Sequence, residues 1–169
     1  MLYIFMGPSC TGKSTAVKKI KDIVDAEVFA GKDYLRMAKG EHDAWQMFFD
    51  KLRAAASDTN DHIVYLITDK AELERVADIE KAHKIRFTAP LETIKERFSQ
   101  RMNGRMPGPV EKMLEKQSAD WEGIEGELTV DTSRDEDLKR LIELFETLWA
   151  EGWNGYAKGV SSQQEDVRP

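Results

Sequence analysis

The chain has 169 residues, of which 31 are acidic and 25 are Lys or Arg, giving a formal net charge of −6. That length suits one domain with a proper core, and the acidic balance argues against a nucleic-acid partner. No apolar run approaches the roughly 20 residues of a membrane span, no leader pattern precedes the first strand, and the lone cysteine, Cys10, has no internal disulfide partner, so the expectation is a cytoplasmic protein without membrane contact.

In chain order, Leu2–Met6 is an apolar strand that runs straight into Gly7-Pro8-Ser9-Cys10-Thr11-Gly12-Lys13-Ser14, with Thr15 starting a helix. This is the G-x-x-x-x-G-K-S phosphate-binding P-loop in its proper strand-to-helix context. Glycines 7 and 12 let the backbone turn so that several N–H groups meet one phosphate. The helix that follows adds its positive N-terminal end. Residues Gly7 through Thr15 are therefore the expected ATP-binding segment, with Lys13 on the β and γ phosphates and the Ser14 hydroxyl on Mg²⁺. Cys10 reads as an inert small residue inside it, the alternative being a redox-sensitive thiol.

Ala16, Val17, Ile20, Ile23 and Val24 continue the first helix at helical spacing, and Glu27–Ala30 reads as a second strand ended by Gly31. The segment Gly31-Lys32-Asp33-Tyr34-Leu35-Arg36 follows it directly. In a parallel sheet the end of a strand adjacent to the P-loop strand opens into the same crevice. Asp33 and Arg36 are therefore candidate acceptor-binding residues, and Asp33 is a candidate proton acceptor; the alternative is Asp33 capping a helix with Arg36 solvated. A helix over 43–56 buries Trp45, Phe48, Phe49 and Leu52, and the near-continuous apolar run 62–67 reads as a central parallel strand. Asp69, just past it, fits both a Mg²⁺ ligand and the N-cap of a helix over 70–78.

A strand over 84–88 leads into a helix from Pro90 to about Met102. That helix carries Arg97 and Arg101 one turn apart, so both guanidiniums leave one face, and Arg105 follows Gly104 where the chain can hinge. Mobile arginines can neutralise the charge that develops during phosphoryl transfer, so Arg97, Arg101 and Arg105, with Lys13, are candidate catalytic residues on a lid over about 101–112. The alternative is a solvated basic face paired with Glu92 and Glu96. A helix over 110–121, a short strand 128–130 and an amphipathic helix 134–150 complete the pattern, and Val130–Ser133 is a strand-end loop that could either pass over the adenine or cap that helix. His42, His62 and His83 show no metal-ligand spacing. Alternating strands and helices imply an α/β fold with a parallel sheet covered on both faces. The expected layout is one domain over 1–150 and a C-terminal extension over 151–169, anchored by Trp153 and Tyr156.

On these residues the chain resembles the P-loop kinases of nucleotides and small metabolites. Gly7–Thr15 is most similar to the guanylate kinase loop, as is Phe87-Thr88-Ala89-Pro90 followed by Glu96, Arg97, Phe98 and Arg101. The resemblance implies a three-layer P-loop NTPase fold whose five parallel strands run in the order 2-3-1-4-5, with an arginine-bearing lid. The acceptor segment departs from the family patterns: Lys39-Gly40-Glu41-His42-Asp43-Ala44 only echoes the guanylate kinase stretch, and Thr68-Asp69-Lys70 stands where shikimate kinases carry a glycine triplet. The expected activity is transfer of the γ-phosphate of Mg-ATP to a small acceptor, with a nucleoside monophosphate preferred. The alternatives are an alcohol kinase of the shikimate or gluconate type, with Asp33 as base, and a nucleotide-binding regulatory ATPase.

Overall fold

The computed structural model describes residues 1–58, 60–147 and 150. The C-terminal extension with Trp153 and Tyr156, and positions 148 and 149 of the last expected helix, lie outside the described residues. Five strands, β1 (Leu2–Met6), β2 (Glu27–Ala30), β3 (Ile63–Ile67), β4 (His83–Thr88) and β5 (Leu128–Asp131), form one parallel sheet in the order β2-β3-β1-β4-β5. Between them run α1 (Lys13–Lys21), a 3₁₀ turn (Asp33–Arg36), α2 (Glu41–Ser57), α3 (Lys70–Arg75), α4 (Leu91–Arg101) and α5 (Gly108–Asp120). The helix α6 follows over 135–147.

The two central strands, β1 and β3, are buried along their whole length, which is why they read as unbroken apolar runs. Their side chains alternate between two layers. Leu2, Ile4, Met6, Ile63, Tyr65 and Ile67 pack on one face with Phe48 and Leu52 of α2 and with Trp121 just past α5. Tyr3, Phe5, Val64, Leu66, Ile85, Phe87 and Val130 pack on the other with Ala16, Val17 and Ile20 of α1 and with Leu141 and Phe145 of α6. A third, small cluster of Cys10, Ile94 and Leu114 lies where α4 and α5 meet the P-loop.

Two helices are shorter than their spacing predicts. The amides of Ile23 and Val24 both bond to the Ile20 carbonyl, closing a tight turn that ends α1 at Lys21 and leads into β2. Past Arg75, Val76 bonds back to Leu73 and Ile79 to Val76, so tight turns replace the expected last helical turn of α3 while still burying Val76 and Ile79. The α4–α5 pair behaves as a stitched hairpin: Lys95 reaches Glu111 at 3.1 Å and Glu115 at 3.0 Å. The stretch expected as a lid divides accordingly, with 102–107 a loop and 108–112 already the start of α5.

Candidate active site

The P-loop leaves the end of β1 beside the ends of β3 and β4. The Gly7 amide donates to the Ile67 carbonyl at 3.1 Å. At φ +149° Gly7 passes so close to β4 that a Cβ would stand 2.2 Å from the Phe87 carbonyl oxygen, so only glycine fits. Gly12, at φ +81°, starts α1. Between them Cys10 takes the left-handed conformation at φ +61°, which side chains other than glycine rarely adopt. The Thr11 hydroxyl donates to the Pro8 carbonyl at 2.8 Å and tightens the loop.

Lys13 is 7% exposed, and its ammonium donates to the carbonyls of Gly7 and Pro8, both at 2.6 Å. Burial pushes its pKa down to about 8; the Arg101 charge adds to this and Cys10 opposes it. Ser14 and Thr15 are exposed in the first turn of α1. Together with Ser9–Lys13, Ala30, Gly31, Leu66, Thr68 and Arg101, they line a cleft of about 200 Å³ at the C-terminal ends of β1, β2 and β3. This is the topological position where open α/β sheets bind ligands. A glycine-bounded loop, a helix N-terminus, a lysine and an exposed serine hydroxyl fit a nucleoside triphosphate with its Mg²⁺.

Of the three arginines expected around the phosphates, the structure brings two to the loop. Arg97 donates to the Cys10 carbonyl at 3.0 Å, to the Thr132 hydroxyl at 2.8 Å and to the Thr132 carbonyl at 3.0 Å. Arg101 lines the cleft, with a nitrogen 3.6 Å from the Cys10 sulfur. Arg105 lies past the end of α4, exposed, in the 102–107 loop.

Two residues at the loop carry polar contacts that the sequence reading did not assign. Gln117 of α5 accepts the Ser9 amide at 2.7 Å. Its place was signalled, since it occupies the apolar stripe of α5 between Leu114 and Trp121, and a polar residue on a buried stripe needs a partner. Thr132 belongs to the strand-end loop read as passing over the adenine or capping a helix. Its hydroxyl instead donates to the Thr11 carbonyl at 2.8 Å. Within that loop Asp131 accepts from the Ser133 amide and hydroxyl.

On the opposite side Gly31, at φ +51°, turns the chain out of β2, with its carbonyl accepting from the Tyr65 hydroxyl at 3.1 Å. Asp33 opens the 3₁₀ turn, and its Oδ2 accepts from the Ala30 amide at 2.9 Å. Arg36 stands 3.9 Å from Asp33 with 87% of its side chain exposed. Behind Asp33, buried Tyr34 stacks on Phe48 and accepts from Arg75 at 3.1 Å. The Arg75 guanidinium itself lies 3.6 Å over the Trp45 ring. The Glu72 carboxylate faces Gly31, and burial first and Asp69 second push its pKa up, against Lys32 and Arg75. Asp69 accepts from the Ala71 amide at 2.9 Å and so caps α3. It is not among the residues lining the P-loop cleft.

No protein-family model and no curated protein sequence matches the chain. Among solved structures it is similar to a sugar kinase from Janibacter sp. HTCC2649, at 22% identity over 88% of this chain and 93% of that one, with a TM-score of 0.57. It is also similar to the tunicamycin resistance protein of Deinococcus radiodurans, at 18% identity over 89% of this chain and 94% of that one, with a TM-score of 0.57. A shikimate kinase from Bacteroides thetaiotaomicron matches at 12% identity over 86% of this chain and 98% of that one, with a TM-score of 0.54. The fold is that of the P-loop kinases. At these identities the likeness is one of fold, and the sheet order implied by the motif resemblance is the order found.

Proposed function

We propose that the protein is a kinase that transfers the γ-phosphate of Mg-ATP to a hydroxyl group of a small metabolite. The observation that carries this reading is the placement of Asp33. Its carboxylate accepts from the Ala30 amide; Ala30 lines the P-loop cleft, and Asp33 itself stands one contact back from that lining. A hydroxyl acceptor needs its proton removed as its oxygen attacks phosphorus, whereas a phosphate acceptor is already anionic. In the proposed reaction the acceptor oxygen forms a bond to the γ-phosphorus and the bond from that phosphorus to the β–γ bridging oxygen breaks. ADP leaves, and the acceptor proton passes to Asp33.

Lys13 and the P-loop amides hold the phosphates, Ser14 is the proposed Mg²⁺ ligand, and Arg101 is the arginine best placed to meet the transferred group. Asp69, committed to its cap, is left as a contributor through water. This ranks the alcohol acceptor above the nucleoside monophosphate. Of the cations near that wall, Arg75 is stacked on Trp45 and bonded to Tyr34, which leaves it poorly placed for an acceptor phosphate. The sugar and shikimate kinases that share the fold act on hydroxyl-bearing acceptors by name, which agrees with the ranking.

The test is Asp33→Asn assayed with Mg-ATP on a panel of sugars, cyclic alcohols and nucleoside monophosphates. Turnover on a hydroxyl acceptor is expected to fall by about 100-fold or more with little change in ATP affinity. Unchanged turnover with weaker acceptor binding would instead restore the nucleotide reading. Hydrolysis of ATP indifferent to every acceptor would point to a regulatory ATPase.

A further inference from the structure

We infer that Arg97 is a positioning residue which, together with Thr132, holds two consecutive P-loop peptides in the orientation that presents their amides to the nucleotide phosphates. The inference rests on the nucleotide reading of the P-loop and goes beyond it. Arg97 donates to the carbonyl of Cys10, and Thr132, itself held by Arg97, donates to the carbonyl of Thr11. Those carbonyls belong to the Cys10–Thr11 and Thr11–Gly12 peptides. The described residues contain no cis peptide bond, and in a planar trans peptide the C=O and N–H point in opposite directions. Fixing both carbonyls toward β5 and α4 therefore turns the amides of Thr11 and Gly12 the other way. In the order β2-β3-β1-β4-β5 the other way is toward β3 and β2, where the cleft is lined by Ala30, Gly31, Leu66 and Thr68. Adjacent amides aimed at one point make an anion nest.

The loop needs such a brace because Cys10 is not glycine yet holds φ +61°. A strained conformation persists only when its surroundings over-determine it. The contacts also explain why Arg97 does not travel to the transferred phosphate. Both of its terminal nitrogens are engaged, and leaving would strip the Cys10 and Thr132 carbonyls of a charged donor in a part-buried place. Arg101, one helical turn on, has the soft sulfur of Cys10 at 3.6 Å as its one hydrogen-bond partner among the described residues, and lines the cleft itself. The two arginines thus divide the work expected of both.

The experiment measures ADP affinity by calorimetry and steady-state kinetics with Mg-ATP for wild type, Arg97→Ala, Thr132→Val, Thr132→Ser, the Arg97→Ala/Thr132→Val double variant and Arg101→Ala. Arg97→Ala and Thr132→Val are each expected to weaken ADP binding about tenfold, more than they lower turnover. Thr132→Ser, which keeps the hydroxyl, restores wild-type affinity. The double variant binds within about twofold of the weaker single one, because the two residues serve one clamp. Arg101→Ala shows the reverse split, losing turnover more than affinity. Wild-type ADP affinity in Arg97→Ala overturns the inference. So does a loss in Arg97→Ala without any in Thr132→Val, which marks direct contact with the nucleotide, and so do losses that simply multiply. Should Arg97→Ala fail to fold, the Thr132→Val and Thr132→Ser pair decides alone. A wild-type protein that does not bind ADP overturns the nucleotide reading itself, a result distinct from all of these.

Discussion

On the P-loop side of the cleft the decisive groups are main-chain atoms. These are the carbonyls of Gly7 and Pro8 under Lys13, the Cys10 and Thr11 carbonyls under Arg97 and Thr132, and the Ser9 amide under Gln117. On the β2–β3 side they are side chains: Asp33 on its amide tether, Glu72 facing Gly31, and Arg75 layered over Trp45 and bonded to Tyr34. In the proposed function the backbone wall meets a group that is the same in every nucleotide, so its geometry admits one local solution. The side-chain wall is assembled from β2, the 3₁₀ turn, α2 and α3, and each of those can be altered separately, as a wall for the proposed acceptor would need.

The strongest way to break this contrast is Lys13→Ala. Losing the buried ammonium is expected to lower phosphoryl transfer by at least about 10²- to 10³-fold while the circular dichroism spectrum and thermal midpoint hold. Full activity in that variant would remove the P-loop from the chemistry. Next in size is a pair of glycine substitutions compared by chemical denaturation. Gly7→Ala drives a methyl onto the Phe87 carbonyl and is expected to cost at least about 3 kcal/mol or prevent folding. Gly31→Ala meets nothing nearer than Glu72 at 3.9 Å, so it carries only the left-handed backbone penalty of about 1 kcal/mol. Equal costs at the two sites would show that the two walls are equally constrained.

The smallest effect is in pH. The Lys13 ammonium has its pKa pushed down to about 8, chiefly by burial, and a bound phosphate anion favours the charged form and so raises it. Below pH 8 lysine is charged with or without nucleotide, and affinity is flat. Above it, binding must take up a proton, and ADP affinity falls roughly tenfold per pH unit until the pKa of the bound form is reached. Calorimetry at pH 8.5 in two buffers of different ionisation enthalpy measures that uptake. Affinity unchanged from pH 7 to 9.5 would place the lysine away from the phosphates.

The same contrast explains what the sequence made legible. The order of strands and helices was readable because β1 and β3 are buried on both faces and their apolar runs are unbroken. The P-loop was readable because its constraint is local: glycine positions, lysine and hydroxyl sit within nine residues. The proposed acceptor wall was not, since Arg75, Tyr34 and Trp45 meet only after α2 and α3 pack, and no spacing in the chain encodes that meeting. Arg97 marks a third case. Its proximity to the P-loop was expected from the arginine pair on one helix face, but its partners are the Cys10 carbonyl, 87 residues away, and Thr132, which no helical pattern could supply.

Cys10 lends the molecule one more property. Its backbone belongs to the loop, while its side chain is packed with Ile94 of α4 and Leu114 of α5, and Gln117 ties the neighbouring Ser9 to the same hairpin. The loop and the α4–α5 hairpin are therefore expected to loosen together. In hydrogen exchange their amides should report one shared opening event, and a ligand seated on the loop alone should slow exchange along both helices to the same degree. Separate exchange rates for loop and hairpin would show the two to be mechanically independent.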